Sequence, residues 1–73
     1  MTNRLKNIGQ NIRKIRKTKN IPQVDLAVEV GIDRAYLSEI ENGRTNTTIN
    51  ILYAIADALK VEISDLFKTP DNL

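Results

Sequence analysis

Four apolar residues, Leu5, Ile8, Ile12 and Ile15, recur at intervals of three and four near the start of the chain. At about 100° per residue they fall within an arc of roughly 80°, which predicts a first helix with a single apolar stripe. Lys6, Arg13, Lys14 and Lys17 fall on its far side. Arg16 does not: its direction lies about 20° from that of Leu5, against the stripe, where an unpaired charge is costly. It is expected to have an acidic partner. Ile21-Pro22 ends this helix and opens a second, because proline disfavours a helical predecessor and fits a first helical turn. Leu26, Ala27 and Val30 give the second helix a short inner face. Gly31 suits a left-handed helix terminus, and Asp33 suits the N-cap of a third helix running to about Asn42 and stopping at Gly43. After a polar loop at residues 44–47, Thr48 caps a fourth helix with Ile49, Leu52, Ile55, Ala56 and Leu59 inward. Ile63, Leu66 and Phe67 predict a last short helix starting near Ser64, and residues 70–73 read as a frayed tail. No strand pattern or repeat is present. The expected fold is all-α: one compact five-helix domain over residues 1–69.

Composition removes several classes of function. With 73 residues and no cysteine, the chain has room for one small domain and no disulfide or thiolate metal site. It also has no histidine, the commonest general base and metal ligand, so neither an enzyme nor a bound metal or cofactor is expected. No apolar run approaches the roughly 18 residues needed to span a bilayer, and no signal segment is apparent, which predicts a soluble cytoplasmic protein.

Charge distribution raises a sharper question. Residues 1–20 hold seven bases and no acid, whereas residues 23–43 hold five acids and only one base, Arg34. Yet this second stretch has the spacing of a helix-turn-helix. Counting Gln23 as the first position, the small Ala27 is fifth, Gly31 ninth, Leu37 fifteenth and Ile40 eighteenth. These are the positions at which that motif needs close helix approach, a permissive turn, and apolar packing of its second helix.

The stretches "IGQNIRKIR" (residues 8–16), "PQVDLAVEVGID" (22–33), "YLSEIENG" (36–43) and "ILYAIADALKVEISDLF" (51–67) resemble the lambda repressor and Cro-like proteins, the XRE family. Within it, residues 33–49 are most similar to the controller proteins of restriction-modification systems, although the Arg-Asn pair of that subgroup reads Thr45-Asn46 here, with the arginine at Arg44. The resemblance implies a lambda repressor-like domain with its helix-turn-helix at about residues 23–42. It also implies that the third helix enters a DNA major groove. The helical projection agrees: Arg34, Ala35, Ser38, Glu39 and Asn42 share an arc of roughly 140°, with Leu37 and Ile40 opposite.

On that face Arg34 can donate two hydrogen bonds to a guanine edge, and Ala35 can touch a thymine methyl. Ser38 suits a base or a phosphate, and Glu39 can accept from a cytosine amino group. Gln23, at the start of the second helix, is suited to a phosphate, as the resemblance also implies. Asn42 and Arg44 are candidates for phosphates on the other flank, with Asn46 and Thr47 as lesser ones. The Tyr36 hydroxyl either reaches a phosphate or packs partly into the core. The resemblance pairs Arg16 with Glu41, which supplies the acid expected beside the apolar stripe.

Specificity in this motif class usually comes from two-fold dimers. Ile51, Ala54, Ala58, Ile63 and Phe67 are the expected homodimer surface, unless Leu66 and Phe67 simply close the monomer core. The expected function is a transcriptional regulator binding a double-stranded, pseudo-palindromic operator in a prokaryotic cytoplasm, in the manner of an autoregulated controller. No small-molecule ligand is expected. Two alternatives share the fold: the antitoxin of a toxin–antitoxin pair, and a protein-interaction module that has lost DNA binding.

Overall fold

The computed structural model describes residues 3–69, so the tail expected at residues 70–73 lies outside the described residues. Four α-helices follow in order: α1 (Arg4–Thr18), α2 (Gln23–Val30), α3 (Arg34–Glu41) and α4 (Ile49–Leu59). A 3-10 helix, Ile63–Phe67, completes the fold. Among the described residues no helix is long and apolar enough to cross a membrane.

The boundaries have local causes. Asn3 caps α1 by accepting from the Lys6 amide at 2.9 Å, and Thr48 caps α4 by accepting from the Ile51 amide at 3.1 Å. The turn between α2 and α3 is made by Gly31 at φ +86. That conformation lets the amides of Gly31 and Ile32 both return to the Ala27 carbonyl, at 2.9 and 3.0 Å. Asp33 occupies the N-cap of α3 with extended backbone, but its side chain makes no capping hydrogen bond. The capping role expected of it is therefore not realised.

Ile12 of α1, Leu26 and Ala27 of α2, and Leu37 and Ile40 of α3 meet Leu52, Ile55, Ala56 and Leu59 of α4 in one core. Leu66 closes it and is fully buried. Ile49, expected inward, is instead 55% exposed. Its direction lies about 70° from the centre of the arc formed by the four buried α4 residues, and it stands at the helix's open first turn.

The fifth helix is a correction of kind rather than of place. Residues 63–67 form a 3-10 helix, not an α-helix. The Asn11 amide takes the carbonyls of Leu66 and Lys68 at 2.9 and 2.7 Å, and the Asn7 amide reaches Lys68 at 3.1 Å. These acceptors point to α1 instead of along a helix axis, so the segment is strapped across α1 as a single tight piece. At its start the Glu62 amide donates to Asp65 Oδ2 at 3.0 Å. Lys68, 2.8 Å away, and this amide hold the Asp65 carboxyl below its ordinary value.

Candidate nucleic-acid interface

The outward face of α3 is built from beneath. Leu37, Ile40 and Glu41 are buried, while Arg34 and Ala35 are exposed and Ser38 and Glu39 half-buried. The helix can stand close to α1 because Gly9 lacks a side chain. A Cβ there would overlap the carbonyl oxygens of Ile40 and Glu41. Gly43, at φ +70, ends α3 in the left-handed region, and a Cβ on it would fall 2.5 Å from the Lys6 Cα. Two glycines thus press the C-terminal end of α3 onto the backbone of α1.

Arg16 and Glu41 lock this contact. Arg16 Nε donates to Glu41 Oε2 at 2.7 Å and Nη2 donates to Oε1 at 3.0 Å, a two-bond fork. Its third nitrogen, Nη1, donates to the Ile21 carbonyl at 2.9 Å, which also holds the α1–α2 connection. The side chains are only 9% and 2% exposed. At this depth, desolvation offsets much of the attraction, so the pair acts mainly to fix geometry.

From Glu41 the network runs outward to the surface. Gln23 Nε2 donates to Glu41 Oε1 at 3.1 Å, and Gln23 Oε1 accepts from Arg34 Nη1 at 3.1 Å. The side chain expected to hold a phosphate is thus also the link between the buried pair and the exposed arginine. Arg34 is therefore aimed by Gln23.

The other flank is arranged differently from expectation. Glu39 is paired with Arg44 at 3.4 Å, with side chains 46% and 67% exposed, an ion pair of at most about 1 kcal/mol. Asn42 is half-buried and donates to the Ser38 carbonyl at 2.9 Å, so its amide closes its own helix. Tyr36 packs against the core, and its hydroxyl donates to the Asn46 carbonyl at 3.2 Å, bracing the loop after α3. The Thr47 hydroxyl is buried with no partner, so only Asn46 of the two lesser candidates is exposed. Of the five residues expected at a dimer surface, Phe67 alone is a large exposed apolar group, at 42%. Ile51, Ala58 and Ile63 pack partly against the core, and Ala54 is half-buried. Ile49 and Tyr53, one turn apart on α4, and Val24 and Val28 on α2 are further apolar exposures, of which Ile49 was expected inward.

Two short helices joined at a left-handed glycine, the second locked below and open above, define a helix-turn-helix protein. The chain belongs to the helix-turn-helix family HTH_3, whose model matches residues 12–66. It is 40% identical over 68 residues to control protein C.BamHI of Bacillus amyloliquefaciens, covering 90% of this chain and 84% of that protein. It is 40% identical over 57 residues to the immunity repressor protein of Bacillus phage phi105. That match covers 78% of this chain, which spans 40% of the phage repressor's length. Among solved structures, the restriction-modification controller protein C.AhdI from Aeromonas hydrophila aligns with a TM-score of 0.84 at 35% identity, over 86% of this chain and 96% of that one. The family expected from the residues is the one found, and the likeness to controllers holds in both sequence and fold.

Proposed function

We propose that this protein is a sequence-specific regulator of transcription that places α3 in the major groove of double-stranded DNA. The observation that carries the reading is the line from Arg16 through Glu41 and Gln23 to Arg34, which turns a buried ion pair into a fixed aim for one exposed arginine. A guanidinium held at the start of α3 is suited to the paired acceptors of a guanine, a contact worth roughly 1 to 3 kcal/mol of discrimination. Ala35, Ser38 and Glu39 complete the base-reading face. Gln23, Arg44 and Asn46 are the phosphate-binding candidates with accessible polar groups, while Asn42, Tyr36 and Thr47 act by shaping the helix end and the loop.

The protein acts as a homodimer on two half-sites, because one α3 touches too few bases for genomic specificity. Phe67 is its exposed apolar anchor, and Ile51, Ala54, Ala58 and Ile63 lie along the same C-terminal region. With dimerisation coupled to occupancy, protein concentration becomes the regulatory signal, as suits an autoregulated controller. Selection of bound sites from random duplexes tests the reading. It is expected to return a two-fold symmetric site with half-sites about 10 base pairs apart. Recovery of no common sequence would refute it.

A further inference from the structure

Two surfaces take no part in the reading face, and each complements the other. The first is a groove of about 400 Å³ between α1 and the 3-10 helix. Ile15 and Val61 give it an apolar lining, and Lys14, Lys19 and Lys68 contribute cations. Its acid, Asp65, is already paired with Lys68 at 2.8 Å. Lys14 and Lys19 have no acidic partner among the described residues. The Asn11 amide, bonded to the carbonyls of Leu66 and Lys68, fixes the two walls to each other. At about 100° per residue, the α1 residues lining the groove point roughly opposite to Gly9 and Arg16. The groove therefore lies on the face of α1 turned away from α3.

The second surface is the outer face of α2. Val24 and Val28, one turn apart, are 49% and 75% exposed. Asp25 and Glu29 are exposed beside them, with no basic partner among the described residues. The four side chains span about 140°, opposite Leu26 and Ala27. DNA reading explains neither these acids nor these valines.

We propose that the groove of one copy receives the α2 face of a second copy. The valines meet Ile15 and Val61, while Asp25 and Glu29 meet Lys14 and Lys19. The two acids lie one turn apart on α2, and Lys14 on α1 and Lys19 at its C-cap both border the groove. Each copy carries both surfaces, so the contact joins unlike faces of the two copies. Two valines and two exposed ion pairs make it weak, so it acts where copies are already concentrated, as on one DNA molecule. It uses neither α3 nor Phe67, and it stands independently of the operator reading.

Sedimentation equilibrium of the full chain tests it, with K14E/K19E and D25K/E29K as variants whose melting verifies folding. At low salt the parent is expected to associate beyond the mass of either variant, with an association constant at least about tenfold higher. Salt of about 1 M should erase the difference. Mixing the two variants should restore association, since the reversed groove then meets the reversed α2 while the two unaltered surfaces also meet. Should D25K/E29K unfold, Val28→Lys replaces it and is expected to lower the parent's association alone. The proposal is overturned if the variants associate as the parent does, or if the mixture is no heavier than its components.

Discussion

Replacing Arg16 by alanine probes the element that orients α3. The guanidinium makes three hydrogen bonds, two to Glu41 and one to the Ile21 carbonyl. Truncation leaves Glu41, whose side chain is 2% exposed, with the Gln23 amide as its one remaining side-chain partner. Stranding a buried carboxylate in this way costs about 3 to 5 kcal/mol. In a domain of this size each kcal/mol lowers Tm by about 4 to 8 °C, so a fall of roughly 10 to 40 °C is expected. Thermal melting by circular dichroism measures it. The double variant R16M/E41L is the decisive companion, because it removes both charges and keeps volume. It should melt near the parent, since the desolvation penalty disappears along with the attraction. It should nevertheless bind operator more weakly, because Gln23 then loses the acceptor that aims it toward Arg34. If R16A melts within about 2 °C of the parent, or the double variant is as unstable as R16A, the reasoning fails.

Other predictions follow from individual contacts. Gly9→Ala drives a methyl into the carbonyls of Ile40 and Glu41; it should cost about 1 to 3 kcal/mol or more and lower operator affinity, measured by denaturant unfolding and by titration with DNA. Glu39→Gln removes the acid that holds Arg44 at 3.4 Å. It should strengthen binding to random DNA while loosening base preference, and equal changes on both DNAs would contradict its place on the base-reading face. Asp65 has a lowered folded-state pKa, so its contribution is complete above the unfolded value near 4 and is lost as pH falls through the lower folded value. Amide protection factors at residues 62–68, corrected for the intrinsic exchange rate, should therefore fall in acid in the parent, and Asp65→Asn should flatten that dependence.

The sequence made the helices and most of their inner faces legible because apolar spacing records which side of a helix is dry. Leu26, Ala27, Leu37, Ile40, Leu52, Ile55, Ala56 and Leu59 were readable in this way and are buried. Arg16 stood out because a charge beside an apolar stripe needs a partner, but spacing alone could not pick Glu41 from five acids. Residues whose roles depend on contact between elements were less visible. Gly9 gives no hydrophobic signal, and its importance appears only when the α3 carbonyls lie against it. Asn7 and Asn11 carried a faint signal, two amides one turn apart beside the stripe, but their acceptors are about 60 residues away. The Gln23–Arg34 bond likewise requires the crossing of α2 and α3, and the Tyr36–Asn46 bond the path of the following loop. Of the five acids at residues 23–43, Glu39 shares the outward face of α3 with Arg34, and Asp33 stands exposed at the N-cap of that helix. Asp25 and Glu29 lie on the outer side of α2, and Glu41 is neutralised below α3.

The most direct test of the central claim, that Arg34 on α3 reads DNA, is site selection from random duplexes with the parent and Arg34→Ala in parallel. The parent should return a symmetric site with a strong guanine preference at one position in each half. The variant should keep the symmetry and spacing but lose that preference, with a discrimination loss of about 1 to 3 kcal/mol at that base pair. Identical base preferences for the two proteins would contradict the account.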